Sequence, residues 1–235
     1  MSIAEKLTTV AENVPKVYEA GKKSEYDDFW DSYQNNGKRT NYSYAFGGEG
    51  WKNKTFKPKY PITVVNGKYA FSMAYMDDWE NVVLDTSNMT DASFMFQSFY
   101  GSNLPVIDMC KLSSSYTTQY MFGTSVTLVT IEKLIVSEST PYHSAMFTGT
   151  KNLQNVIFEG TIAKSGLDLS PCTKLSGESI VSVIEALSGT KSGLTVTLSQ
   201  TAVDNMAFPI TGNNGTYNSW TDLEQSKTNW TISLV

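Results

Sequence analysis

His143 is the only histidine of the 235-residue chain, so any imidazole acid–base chemistry has to pass through it. It follows Pro141-Tyr142 in a loop-forming stretch, where a neutral or exposed side chain is the plain expectation. A Ser-His-Asp arrangement would need this one residue, and no Gly-x-Ser-x-Gly segment supplies a nucleophile. Carboxylates offer a second chemistry. Asp27-Asp28 and Asp77-Asp78 lack the spacing of a calcium loop, and adjacent Asp side chains diverge on most backbones. Asp77, Asp78 and Asp85 are the candidates for a carboxylate pair acting on cell-wall glycans. Cys110 and Cys172 stand in no Cys-x-x-Cys or Cys/His pattern, which argues against zinc and reads as two small buried thiols. Neither a phosphate-binding loop nor a dinucleotide-binding glycine motif occurs. These residues point to a non-enzymatic protein with no cofactor and no metal, whose work is structural or binding.

Composition bounds the partners. Only 17% of residues are charged, below the usual ~25%, so Ser, Thr and Asn make most of the polar surface. Such a surface suits turns and short strands. The 18 Lys and Arg are outnumbered by 23 Asp and Glu, for a net charge of −5. No basic cluster is present to neutralise phosphates, so no nucleic-acid partner is expected. No apolar run approaches ~18 residues, so no membrane span is expected. The opening lacks a basic region followed by an apolar run, so no signal peptide is expected, and the product would leave a cytoplasm only within a particle.

The elements that must position any site divide into three. Residues 1–37 read as a helical oligomerisation or attachment segment. Ser2 and Glu5 form a capping box, and Ile3, Leu7, Val10, Val14 and Val17 follow the 4-3-4-3 spacing of a heptad seam, interrupted at Pro15. Self-association as a trimer or dimer, or packing on the chain's own domain, would both use that stripe. Tyr26, Phe29, Trp30 and Tyr33 make a second stripe before Asn35-Asn36-Gly37 stops the helix. Residues 38–72 read as an aromatic-rich cap and a hairpin, because Pro61–Val65 and Lys68–Ser72 flank Asn66-Gly67.

Residues 73–235 carry a repeat. Phe94-Met95-Phe96, Tyr120-Met121-Phe122 and Ala145-Met146-Phe147 recur at steps of 26 and 25, each followed by a small turn and an apolar run. Leu-Asp or Ile-Asp recurs at strand ends, in Leu84-Asp85, Ile107-Asp108 and Leu167-Asp168. A period near 25 lies in the leucine-rich-repeat range, where single units share a core only by stacking. The fold class expected is α+β: a short, irregular leucine-rich-repeat-like solenoid with a parallel β ladder, an N-terminal helical segment and a helix–strand C-terminal cap. The cap comprises a helix over Leu175–Leu187 begun at Ser176 or Gly177, a strand at Leu194–Leu198, and a helix over Ser199–Phe208 capped by Ser199. A loop over 209–219, a helix over Trp220–Lys227 with Thr221 as its cap, and a strand at Trp230–Leu234 complete it. Tyr100, Tyr116, Tyr120 and Tyr142, aromatics in the turns, are the candidate contact residues. Packing between coils is their other use.

The Met-Phe repeats with Leu-Asp-x-Ser ends resemble the BspA-type leucine-rich repeats of bacterial surface proteins. Residues 3–21 and 25–34, with Leu194–Ala202 and Asn229–Leu234, resemble phage- and prophage-encoded leucine-rich-repeat proteins of Gram-positive hosts. That resemblance implies a structural protein of the virion in a tail, baseplate or fibre, with other virion proteins and a second copy as partners. A host cell-surface carbohydrate is a further partner for aromatic turns near Ser and Asn. The repeats are few and the heptad tract is short, which favours a compact decoration or tip protein over a long shaft. A BspA-like surface adhesin and a wall-glycan hydrolase are the alternatives.

Overall fold

The computed structural model describes residues 33–235 apart from 36, 48–57, 59, 77–78 and 80–81. The seam Ile3, Leu7, Val10, Val14 and Val17, with the pairs Asp27-Asp28 and Asp77-Asp78, lies outside the described residues. The architecture is α+β, with short parallel sheets and few helices among the described residues. The elements in chain order are β1 (Ile62–Thr63), β2 (Leu84–Asp85), β3 (Asn103–Asp108), β4 (Thr130–Val136), β5 (Asn155–Gly160) and β6 (Asp168–Leu169). They continue with α1 (Gly177–Ala186), β7 (Leu194–Leu198), α2 (Gln200–Asp204), β8 (Ile210–Thr211), β9 (Thr216–Tyr217), α3 (Trp220–Gln225) and β10 (Trp230–Leu234).

β3, β4 and β5 run parallel in that order. Leu104 and Ile107 of β3 sit opposite Ile131 and Leu134 of β4, and all four are buried. On β5 the inward residues Val156 and Phe158 are two apart, yet they face Ile131 and Leu134, which are three apart. A register shift on β4 absorbs the extra residue, as a bulge does.

A second line of packing comes from the turns between strands. Phe46, Phe71, Phe96, Phe122 and Phe147 stack with centroid separations of 4.8, 5.3, 5.9 and 5.1 Å, tilted by no more than 23°. Each is at most 1% exposed, and burying one such ring contributes about 1.5–3 kcal/mol. The backbone repeats with them. The N–H groups of Phe46, Phe71, Phe96 and Phe122 donate to the carbonyls of Ala70, Met95, Met121 and Met146 at 2.7–3.0 Å. Each turn thus satisfies its polar backbone on the next one, which a buried turn requires.

The hairpin expected at Asn66-Gly67 does not form. Ile62–Thr63 pairs parallel with Leu84–Asp85, and Asn66 makes parallel bridges to both Asn41 and Asp91. The reason is that Tyr69-Ala70-Phe71 is another copy of the aromatic turn, 25 residues ahead of Phe94-Met95-Phe96. Its N–H groups at Tyr69 and Phe71 donate to Ser93 and Met95 instead of across a hairpin. One buried cluster runs from Tyr42 to Trp230, so the described residues of 38–72 share a core with those of 73–235.

Past β5 the next layer is a helix. Ser176 caps α1 by accepting from the Ser179 N–H at 3.3 Å, with Glu178 in the first turn. β6, β7 and β10 form a second parallel sheet with β7 central. Ser199 caps α2, which ends at Asp204, short of the expected Phe208. α3 is capped by Ser219, not Thr221, because the Ser219 hydroxyl accepts from Asp222 N–H at 3.1 Å. The 209–219 loop contains the small antiparallel pair β8–β9. Lys227 caps the end of α1, its ammonium donating to the carbonyls of Glu185 and Leu187.

Candidate functional site

The feature that distinguishes the surface is a ladder of rings outside the phenylalanine stack. Two residues before Phe46, Phe71, Phe96 and Phe122 stand Tyr44, Tyr69, Phe94 and Tyr120. Their rings stack at 4.7, 4.5 and 5.6 Å, tilted 15°, 7° and 16°. The turns that present the first three are built by a side-chain acceptor three residues earlier. Asn41, Asn66 and Asp91 accept from the N–H groups of Ser43, Lys68 and Ser93 at 3.0, 3.1 and 2.9 Å. The chain then enters the left-handed region at the ring itself: φ is 57° at Tyr44, 55° at Tyr69, 57° at Phe94 and 49° at Tyr120. Residues with a side chain lose about 1–2 kcal/mol in that region. Four of them held there in register means the stacking and the inter-turn hydrogen bonds outweigh it.

Rings stacked face to face show solvent their edges. At the Tyr120 end the equivalent residue is Ala145, so the ladder stops there. At the other end Tyr44 is 68% exposed. Beside it lies an open cavity of about 360 Å³ lined by Tyr44, Gly47, Tyr69, Ser72, Met73 and Gln97. Met73 is 49% exposed, an uncommon position for a large apolar side chain. The arrangement offers an apolar floor, phenol hydroxyls and one amide, which suits non-covalent contact.

The expected contact residues fall in different places. Tyr120 is the half-exposed last rung of the ladder. Tyr100 is 43% exposed and stacks on Tyr75 at 4.3 Å, and Tyr116 is 71% exposed with its ring 6.2 Å from His143. Tyr142 is 4% exposed and belongs to the core, so it is not a contact residue. Burial pushes its phenol well above the usual range, and its hydroxyl has no hydrogen-bond partner among the described residues. Tyr44, Tyr69, Phe94 and Met73 were not among the expected contacts. The signal was the same aromatic triplet one and two periods upstream, where alanine replaces the central methionine in Tyr69-Ala70-Phe71 and Tyr44-Ala45-Phe46.

The reactive side chains serve turns. His143 accepts the Ala145 N–H on Nδ1 at 3.1 Å, as Asn and Asp do in the earlier turns. Asp85 accepts from the Ser87 hydroxyl at 2.7 Å and its N–H at 3.0 Å, and those bonds hold its carboxyl below the usual range. Asp108 and Asp168 do the same for the N–H groups of Cys110 and Ser170. Cys110 and Cys172 are both free thiols, each raised above the usual range by burial. Among the described residues no group of three His, Cys, Asp or Glu is placed to hold a metal, and no helix is long and apolar enough to cross a membrane.

No family model matches the chain, and neither curated proteins nor solved structures give a significant match.

Proposed function

We propose that the chain is a short leucine-rich-repeat-like solenoid serving as a non-enzymatic structural protein of a phage particle, in its tail, baseplate or fibre. Its contact surface is the Tyr44–Tyr69–Phe94–Tyr120 ladder with Met73. The observation that carries the reading is the ladder itself: left-handed ring positions repeated at steps of 25, 25 and 26 residues, with stacked rings left half-exposed at a backbone penalty. The particle assignment rests on the resemblance of residues 3–21, 25–34, 194–202 and 229–234 to phage and prophage proteins. Other particle proteins and a host-surface carbohydrate are the partners it fits, since phenol edges and the exposed Tyr44 side chain serve either.

Asp85 accepts from the N–H and hydroxyl of Ser87 and so holds a turn, which supports a structural role for it over a hydrolytic one. Incubation of the full chain with wall polysaccharide tests this. Release of no reducing ends is expected. Hydrolysis abolished in Asp85→Asn would overturn the non-enzymatic reading.

A further inference from the structure

Among the described residues, three strands of five or more residues lie at sheet edges: β3, β5 and β10. Two of these edges are blocked by side chains. On β5, the Ser179 hydroxyl accepts from Val156 N–H at 2.9 Å and the Ser182 hydroxyl accepts from Phe158 N–H at 3.2 Å. On β3, Thr86 accepts from Asp108 N–H at 2.7 Å and Trp79 donates to the Asn103 carbonyl at 2.9 Å. β10 has no such cover among the described residues. Val235 N–H donates to Leu198 and Val235 C=O accepts from Gln200, which fixes the strand's phase. Residues 231, 233 and 235 therefore bond to β7, and the N–H and C=O groups of Ile232 and Leu234 face the open edge. The strand Trp230-Thr231-Ile232-Ser233-Leu234 carries no charge and no proline, the devices that keep an edge solitary.

We propose that β10 pairs antiparallel with β10 of a second copy, about a two-fold axis through Ser233. With that axis Ile232 of one copy lies opposite Leu234 of the other, and each outward N–H and C=O meets its complement. Ser233 faces its own copy as a non-hydrogen-bonded pair, its backbone groups remaining on β7. The contact is self-complementary, as a two-fold requires, and it joins two β6–β7–β10 sheets into one. It goes beyond the proposed particle role and does not depend on it.

The test is the mass in solution of the full chain and of Ser233→Lys and Ser233→Glu. Like charges directly opposite destabilise such a pair, and opposite charges restore it. The full chain is expected at twice its 26.0 kDa, each variant alone at the single mass, and an equimolar mixture of the two at the double mass again. A monomeric wild-type chain, variants that keep the double mass, or a mixture that stays monomeric would each overturn the pairing.

Discussion

The rings of Tyr69 and Phe94 lie 4.5 Å apart and within 7° of parallel, on residues that both hold left-handed backbones. Stacking and strain therefore oppose each other at one position, and substitution separates them. Tyr69→Ala removes contacts to Tyr44 and Phe94, each worth about 0.5–1.5 kcal/mol, and keeps the strain. Tyr69→Gly removes the same contacts and relieves the strain, offset in part by glycine's greater chain entropy. Urea unfolding should find Tyr69→Gly about 0.5–1 kcal/mol more stable than Tyr69→Ala. The reverse order would mean the left-handed turn is not present.

Phe122 is buried between Phe96 and Phe147. Phe122→Ala should cost about 3–5 kcal/mol, the range for a large ring lost from a core. Tyr116→Ser, at a 71% exposed position, should stay within about 0.5 kcal/mol of the parent. Denaturant midpoints of the two variants check the contrast.

The covered edge of β5 makes a separate prediction. Ser182→Ala leaves the Phe158 N–H without its acceptor in a buried place. A loss of about 1–3 kcal/mol is expected. Amide exchange should quicken at Phe158 more than at Leu134 in the sheet interior.

Tyr142 predicts a dependence on alkaline pH. Its folded pKa is raised above 10.0 by burial. Below that value both states are protonated and the phenol contributes no pH dependence. Above it the unfolded chain ionises while the folded chain cannot, so stability falls as pH rises, by about 1.4 kcal/mol per pH unit. Tyr142→Phe removes that loss and also a buried hydroxyl with no hydrogen-bond partner among the described residues. The variant should be about 1 kcal/mol more stable at neutral pH, with the advantage growing above pH ~10. Taking the difference between the two proteins cancels Lys227, whose lowered pKa tilts stability the other way. A constant difference across the alkaline range would contradict the burial of this ring.

Much of the architecture was legible because it depends on local signals. Serine before an apolar helical face located the starts of α1 and α2, and alternation located β7 and β10. The recurring Met-Phe pairs marked three of the stacked turns. The two upstream copies were hidden by Ala45 and Ala70, and Asn66-Gly67 imitates a hairpin so closely that only pairing with residues 25 away distinguishes it. The ladder leaves no mark on any single turn, since ring stacking is a relation between turns. Tyr142 looked like a loop tyrosine because Pro141 and His143 surround it, and sequence does not show that the turn points it inward. Nor do serines at 179 and 182 announce that they cover a strand edge, because a helix interior carries no mark of its neighbour.

The proposed particle role is tested most directly by where the native chain is found when cells that carry its gene release phage particles. Quantitative immunodetection across a density gradient should place it in the particle band at a fixed ratio to the major particle proteins. Tyr44→Asp, which charges the exposed end of the ladder, should lower that ratio or the particles' adsorption to host cells several-fold. A native chain that stays with free protein at the top of the gradient would contradict the proposed role.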